Sequence, residues 1–216
     1  ALPGSREALE KLCRTYWFPL YAFARRHGHA PEAAQDLTQG FFAHLIEHHF
    51  FGRAEPERGK FRSFLLGAFK RFVRDQDRAQ LAQRRGGQVE FIALDSAEAE
   101  QRLSTEAGDT PDPEGAYERE WALTVLDEAL KLLQQECRGE GKAELFEVLH
   151  PFLQGDRPDL RQADVEARLD MSAGAVKVAI HRLRRRYGEL LRAVVAHTVT
   201  DPGEVEEELR HLVRLL

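Results

Sequence analysis

Two stretches of the 216-residue chain carry side chains suited to holding nucleic acid. Between positions 58 and 85 stand Arg58, Lys60, Arg62, Lys70, Arg71, Arg74, Arg78, Arg84 and Arg85, opposed by Asp75 and Asp77. Phe61, Phe64, Phe69 and Phe72 are interleaved with them. Cations hold phosphates while aromatic faces stack on unpaired bases, which is the chemistry of a single-stranded surface. Ordinary core packing competes as the use of these four rings, but it does not account for the cations. The second stretch runs from Gln162 to Lys177. A short helix ends at Leu169, a tight turn passes through Asp170 and Met171, and Ser172 can cap the next helix by accepting an early backbone N–H. This is helix-turn-helix grammar, in which one helix braces a second that enters a major groove. The second helix bears Lys177, Arg182, Arg184, Arg185, Arg186 and Arg192 against Glu189. Val176, Ile180, Leu183, Tyr187, Leu190 and Leu191 recur at three- and four-residue steps, giving a buried face opposite the charge.

Catalytic chemistry has less to work with. His44 and His48 are i,i+4 on one helix face around Glu47, a spacing that can bind metal. No HExxH order accompanies them, and spacing indicates no third ligand. His27 and His29 form a second, weaker pair at a turn. No Gly-rich phosphate loop, nucleophile elbow or Ser/His/Asp constellation is present. The expectation is a protein that is not an enzyme, with no cofactor and no metal. Cys13 and Cys137 lie far apart and outside any CxxC or Cys/His spacing, as expected of two reduced thiols in the cytoplasm.

The elements that must position these residues read as helices. Leu, Ala, Glu and Arg are abundant and no sustained Val/Ile/Thr alternation occurs, so the fold class is all-α. Apolar spacing predicts helices over about 5–26, 31–50, 61–85, 116–137, 142–153, 161–169, 173–196 and 204–216. Pro19 should kink or split the first of these. The second buries Ala34, Leu37, Phe41, Phe42, Leu45 and Ile46. From 88 to about 115 the periodicity dissolves, and Gly108, Pro111 and Pro113 punctuate a strongly acidic run. Two small helical domains, 1–88 and 116–196, are therefore expected, joined by an irregular acidic linker, 89–115, and followed by an acidic amphipathic tail, 197–216. No apolar window reaches about 18 residues, so no membrane-spanning helix is expected. The opening Ala1-Leu2-Pro3-Gly4-Ser5 does not read as a signal peptide.

The net charge of −5, with a pI near 6.0, argues against a nucleic-acid partner when taken as a total. Along the chain it resolves into basic blocks on the two helices just described, an acidic linker and an acidic tail. This distribution predicts weak DNA affinity for the protein alone.

The order of parts resembles the extracytoplasmic-function group of bacterial sigma factors. The resemblance rests on Asp36-Leu37-Thr38-Gln39-Gly40-Phe41-Phe42, and on Gly174-Ala175-Val176-Lys177 leading to Arg182-Leu183-Arg184. It spans about residues 5–195. It implies a sigma region 2-like bundle and a region 4-like helix-turn-helix domain, with core RNA polymerase and promoter DNA as partners and no membrane role. An anti-sigma factor or other regulator is a further partner of the kind the family uses. Asp36, Leu37, Gln39 and Phe42 would grip the polymerase. Phe61, Arg62, Phe64, Lys70, Arg71, Arg74 and Arg78 would open the −10 element and hold its unpaired strand. Ser172, Ala173, Gly174, Ala175, Lys177, Val178, His181, Arg182 and Arg185 would read the −35 element.

Departures from the family pattern carry expectations of their own. Gly40 stands where the family usually has an acid, Glu166 where a small residue is usual, and Asp170 at the turn glycine. Ala175, Val178 and Ala179 replace polar reading positions; such side chains touch thymine methyls but make no bidentate base contacts. A sigma-like regulator that docks DNA or polymerase without directing initiation is the alternative. For the tail, Glu206, Glu207 and Glu208 with the Leu209/Leu212/Val213/Leu216 stripe suit folding back onto a basic face or binding a regulator; a loosely packed terminal helix is the rival expectation.

Overall fold

The structure is a computed structural model and describes residues 3–47, 60–82, 99–101, 103, 112–154, 162–199 and 201–215. Every regular element among them is helical: α1 (Pro3–Arg26), α2 (Pro31–Glu47), α3 (Phe61–Ala82), α4 (Pro113–Gly139), α5 (Ala143–Leu149), α6 (Gln162–Leu169), α7 (Ala173–Ala196) and α8 (Val205–Leu215). Short 3-10 turns, His150–Gln154 and Pro202–Glu204, follow α5 and precede α8. Pro19 does not split α1, which runs unbroken through it. His48, the connection over 52–59, Arg84, Arg85 and most of the linker lie outside the described residues.

Helix ends follow local rules. Gly28 and Gly141 take positive φ just past α1 and α4. The following N–H in each case returns to a carbonyl five residues back, His29 to Ala24 and Lys142 to Cys137, which closes the exposed last turn. Asp170 does the same after α6 at φ 49°, with Met171 N–H donating to Glu166 O at 3.1 Å. An aspartate therefore fills a left-handed position where glycine is the usual occupant.

Packing divides the chain into two units, residues 1–124 with 196–216, and residues 125–195. This differs from the domain boundaries read from composition. The first turns of α4 and the described residues of the tail belong with the N-terminal helices.

Unit 1 is built on rings. Phe69 of α3 meets Phe41 of α2 edge-on at 5.1 Å and Phe23 of α1 at 6.0 Å. Tyr16, Leu20, Leu45, Leu65, Tyr117 and Trp121 complete the buried interior. Large aromatic faces account for much of the stabilisation here, because each removes about 150–250 Å² from water. Ile46, expected in this core, is instead 47% exposed. A piece of the linker joins the unit: residues 99–101 are helical and Ala99 is buried. Glu100 there accepts from Tyr21 Oη at 2.5 Å and from Arg25 Nε and a terminal guanidinium nitrogen at 2.6 and 2.9 Å. The Arg25 hydrogen bonds hold the Glu100 carboxyl below its usual range.

Unit 2 has an aliphatic core. Val125, Ala129 and Leu133 of α4 pack with Phe146, Leu149, Val165, Val176, Leu183 and Leu190. Tyr187 is half-buried and donates to Leu126 O at 3.1 Å; burial and the charge of Asp127 push its phenol up to about 12. Arg186 ties α7 to α4 through two hydrogen bonds to Glu136, at 2.7 and 2.8 Å.

Candidate nucleic-acid interface

The helix-turn-helix is formed as its sequence dictates. Ser172 Oγ accepts from Ala175 N–H at 3.3 Å at the head of α7, and Val165 of α6 and Val176 of α7 are buried where the two helices meet the core. Opposite that buried stripe, Ser172, Gly174, Lys177, Val178, His181, Arg182 and Arg185 are exposed, and Ala173 and Ala175 half-exposed. All nine residues expected to read duplex DNA thus lie at or near the surface on the outer side of α7. Arg185 is also bonded to Glu189 at 3.1 Å, one turn on. This is an in-helix pair that a phosphate can displace at little cost, since exposed i,i+4 pairs contribute only about 0.3–0.5 kcal/mol.

The apolar substitutions on this helix have a structural setting that composition did not reveal. Ala175, Val178 and Ala179 line a groove of about 480 Å³ with Leu133, Cys137, Leu145 and Met171, edged by Arg182 and Arg186. Val178 is 49% exposed there. These positions form one wall of a hollow beside the reading face.

The basic helix of unit 1 is less uniform. Arg71, Arg74 and Arg78 are exposed, and the i, i+3, i+7 spacing sets them along one face. Phe64, half-buried, begins the same face about two turns earlier, and the intervening Gly67 has open space around its Cα. A ring followed by three cations on one stripe is an arrangement that can stack a base and hold the phosphates after it. Phe61 and Phe69 are core residues, and Phe61 packs edge-on against Tyr16 at 5.7 Å.

The other two cations expected to hold the strand are engaged elsewhere in this unit. Lys70 pairs with Glu114 and lies 5.7 Å from the centre of the Phe23 ring. Arg62 is 4% exposed. Its Nε donates to Glu208 at 2.9 Å and a terminal nitrogen to Glu118 at 2.7 Å, and its guanidinium lies over the Trp121 ring at 5.1 Å. Lys60 reaches Glu207 at 3.0 Å and Glu208 at 3.2 Å. Burial works against the Lys60 ammonium, but the hydrogen bonds to these two carboxylates outweigh it and raise its pKa. The tail folded back onto a basic face was one expectation from the sequence, and Glu207 and Glu208 do meet cations. That Arg62 would be buried between Glu118 and Glu208 was not legible, because those acids lie 56 and 146 residues from it.

On α2 the residues expected to grip a polymerase divide by face. Asp36 is exposed and Gln39 half-exposed, whereas Leu37 and Phe42 are buried and hold the helix in place. Ile46 lies near the line of Asp36, Gln39 and Ala43, so an apolar side chain joins that outer stripe. Its apolar type had assigned it to the core. At Gly40 an added Cβ would touch the Phe72 ring at 3.4 Å.

His27 and His29 stack at 6.0 Å, and His44 lies 5.7 Å from the Phe72 ring. Among the described residues no group of three His, Cys, Asp or Glu side chains could hold a metal ion, and no helix is long and apolar enough to cross a membrane.

A family model described as ECF sigma factor matches residues 3–193 of the chain. No curated protein and no solved structure matches the chain.

Proposed function

The chain belongs to the ECF sigma factor family, and from that membership we propose that it binds core RNA polymerase, recognises promoter DNA and directs transcription initiation. The family is one of transcription factors rather than enzymes, and no step of this role requires catalysis by the chain itself. In this reading α2 presents Asp36 and Gln39, with Ile46 beyond them, to the polymerase. Phe64, Arg71, Arg74 and Arg78 hold the unpaired −10 strand; each stacked base is worth about 1–3 kcal/mol. The outer face of α7 enters the −35 major groove. Lys177, Arg182 and Arg185 supply phosphate contacts or reach guanine edges, while Val178 meets thymine methyls. Working beside the polymerase, the protein acts in the cytoplasm.

The observation that carries the proposal is the pair of outward cationic faces, one in each unit, of which the first also bears a ring. A sigma-like regulator that docks without initiating is favoured by the groove beside Ala175, Val178 and Ala179, which turns reading positions into a hollow. Run-off transcription with core polymerase and a genomic promoter library decides between them. Specific start sites that depend on the added protein are expected. Duplex binding without start sites excludes initiation and leaves the regulator. Footprinting of the open complex then locates both promoter elements.

A further inference from the structure

The tail lies beyond the stretch that the family model matches, yet it is packed into unit 1. Its inward face is Val205, Glu208, Leu209, Leu212 and Leu215, the spacing of an amphipathic helix. Glu208 and Leu212 are the two fully buried members, and Val213 is 70% exposed. Position 208 is the centre of the stripe, where such a helix normally places a leucine. A carboxylate stands there instead, 2% exposed and facing Arg62. His211 beside it contacts Glu118 at 2.8 Å, and Glu207 reaches Lys60 from the rim.

That choice of residue has a physical meaning. A buried ion pair gains little over well-packed apolar side chains, because desolvating both charges offsets their attraction. A leucine at 208 would seal the helix unconditionally, whereas a glutamate seals it only while its cations are present and unclaimed. An eleven-residue helix is marginal by itself, so it stays helical largely through this docking. The cations it claims, Lys60 and Arg62, open the basic helix whose later residues face outward.

We propose that α8 is an intramolecular competitor of nucleic acid: Glu207 and Glu208 take the places of two phosphates on Lys60 and Arg62, and a DNA strand that claims those cations releases the tail. The proposal rests on the reading of α3 as the single-strand surface. By the reciprocity of linked equilibria, the tail weakens DNA binding by the same factor as DNA weakens tail docking. Free protein therefore shows a shortened DNA surface, and the full surface appears on release.

The test uses the full chain with Glu207→Gln and Glu208→Gln together, and a fluorescent single-stranded 20-mer of mixed sequence. The charge-matched control carries Glu128→Gln and Glu144→Gln in unit 2. The tail variant should bind about tenfold more tightly at low salt, with a salt dependence steeper by about 1.4, the value for two added single-strand phosphate contacts. Lys60→Ala should abolish most of this gain in the variant. Equal gains in variant and control, or a gain that survives Lys60→Ala, overturns the competitor. Arg71→Ala separates the two levels: if it lowers affinity while the tail variant gains nothing, the DNA surface stands and the competitor falls. If Arg71→Ala has no effect in either background, the single-strand reading itself falls. A second measurement does not depend on the variant folding. In the parent, saturating 20-mer should speed amide hydrogen exchange across 205–215 several-fold, and unchanged exchange there overturns the proposal.

Discussion

On α3 the cations nearest its N-terminus are held by carboxylates from remote parts of the chain, Glu114, Glu118, Glu207 and Glu208. On α7 the outward cations are exposed, and the ion pairs formed by Arg185 and Arg186 draw on Glu189 of the same helix and Glu136 of α4. Equal density of positive charge in a sequence therefore yields two different surfaces. On α3 part of the charge is buried in pairs with remote carboxylates, whereas on α7 the cations stay at the surface even where they are paired. A buried, doubly paired arginine over a tryptophan ring is a structural member first, while an exposed arginine on a helix stripe keeps its guanidinium at the surface.

The comparison breaks most sharply under alanine substitution of one cation from each helix. Arg62→Ala leaves Glu208 buried without its main partner and should cost about 3–5 kcal/mol in urea unfolding. Arg182→Ala should change stability by less than about 0.5 kcal/mol. Similar stability losses at the two positions would erase the distinction. A smaller effect divides the exposed residues by substrate. Arg71→Ala or Arg74→Ala should weaken binding to single-stranded −10 DNA about three- to tenfold and more than binding to duplex −35 DNA, with the salt slope shallower by about 0.7. Arg182→Ala or Arg185→Ala should reverse the preference. Equal losses by both pairs on both DNAs would mean one undivided surface. The smallest effect tests the turn that sets α7 on α6. Asp170→Gly relieves a left-handed aspartate but frees the unfolded chain, so a net gain of a few tenths of a kcal/mol is expected in thermal or urea melts, with DNA affinity unchanged. A loss of stability would show that the Asp170 side chain itself supports the turn.

Most helices were legible because their apolar residues recur at three and four, and because glycine pairs and prolines punctuate them. The Ser172 cap and the buried face of α7 follow from local chemistry, and so appear in the structure where the sequence puts them. Three things were not legible, each for a non-local reason. Ile46 reads as core by type, but the ring cluster around Phe41 and Phe69 sets the roll of α2 and leaves it outside. Glu100 reads as one more linker charge, until Tyr21 and Arg25 of α1 are seen to wait for it. Of the tail stripe read as Leu209, Leu212, Val213 and Leu216, the first two face inward as expected and Leu216 lies outside the described residues, but Val213 is exposed and the inward face instead admits Glu208, which meets Arg62. Periodicity locates a helix and its mean face, but a buried charge selects the angle at which it docks.

Unit 1 is also completed out of order. Glu208 is made 146 residues after Arg62, and at about 5–20 residues per second the ribosome takes on the order of 10 s to deliver it. All of residues 125–195 emerges in that interval, while Arg62, Glu118 and Trp121 wait without the helix that covers them. During synthesis the start of the basic helix is thus made long before the carboxylates of the tail that pair with it.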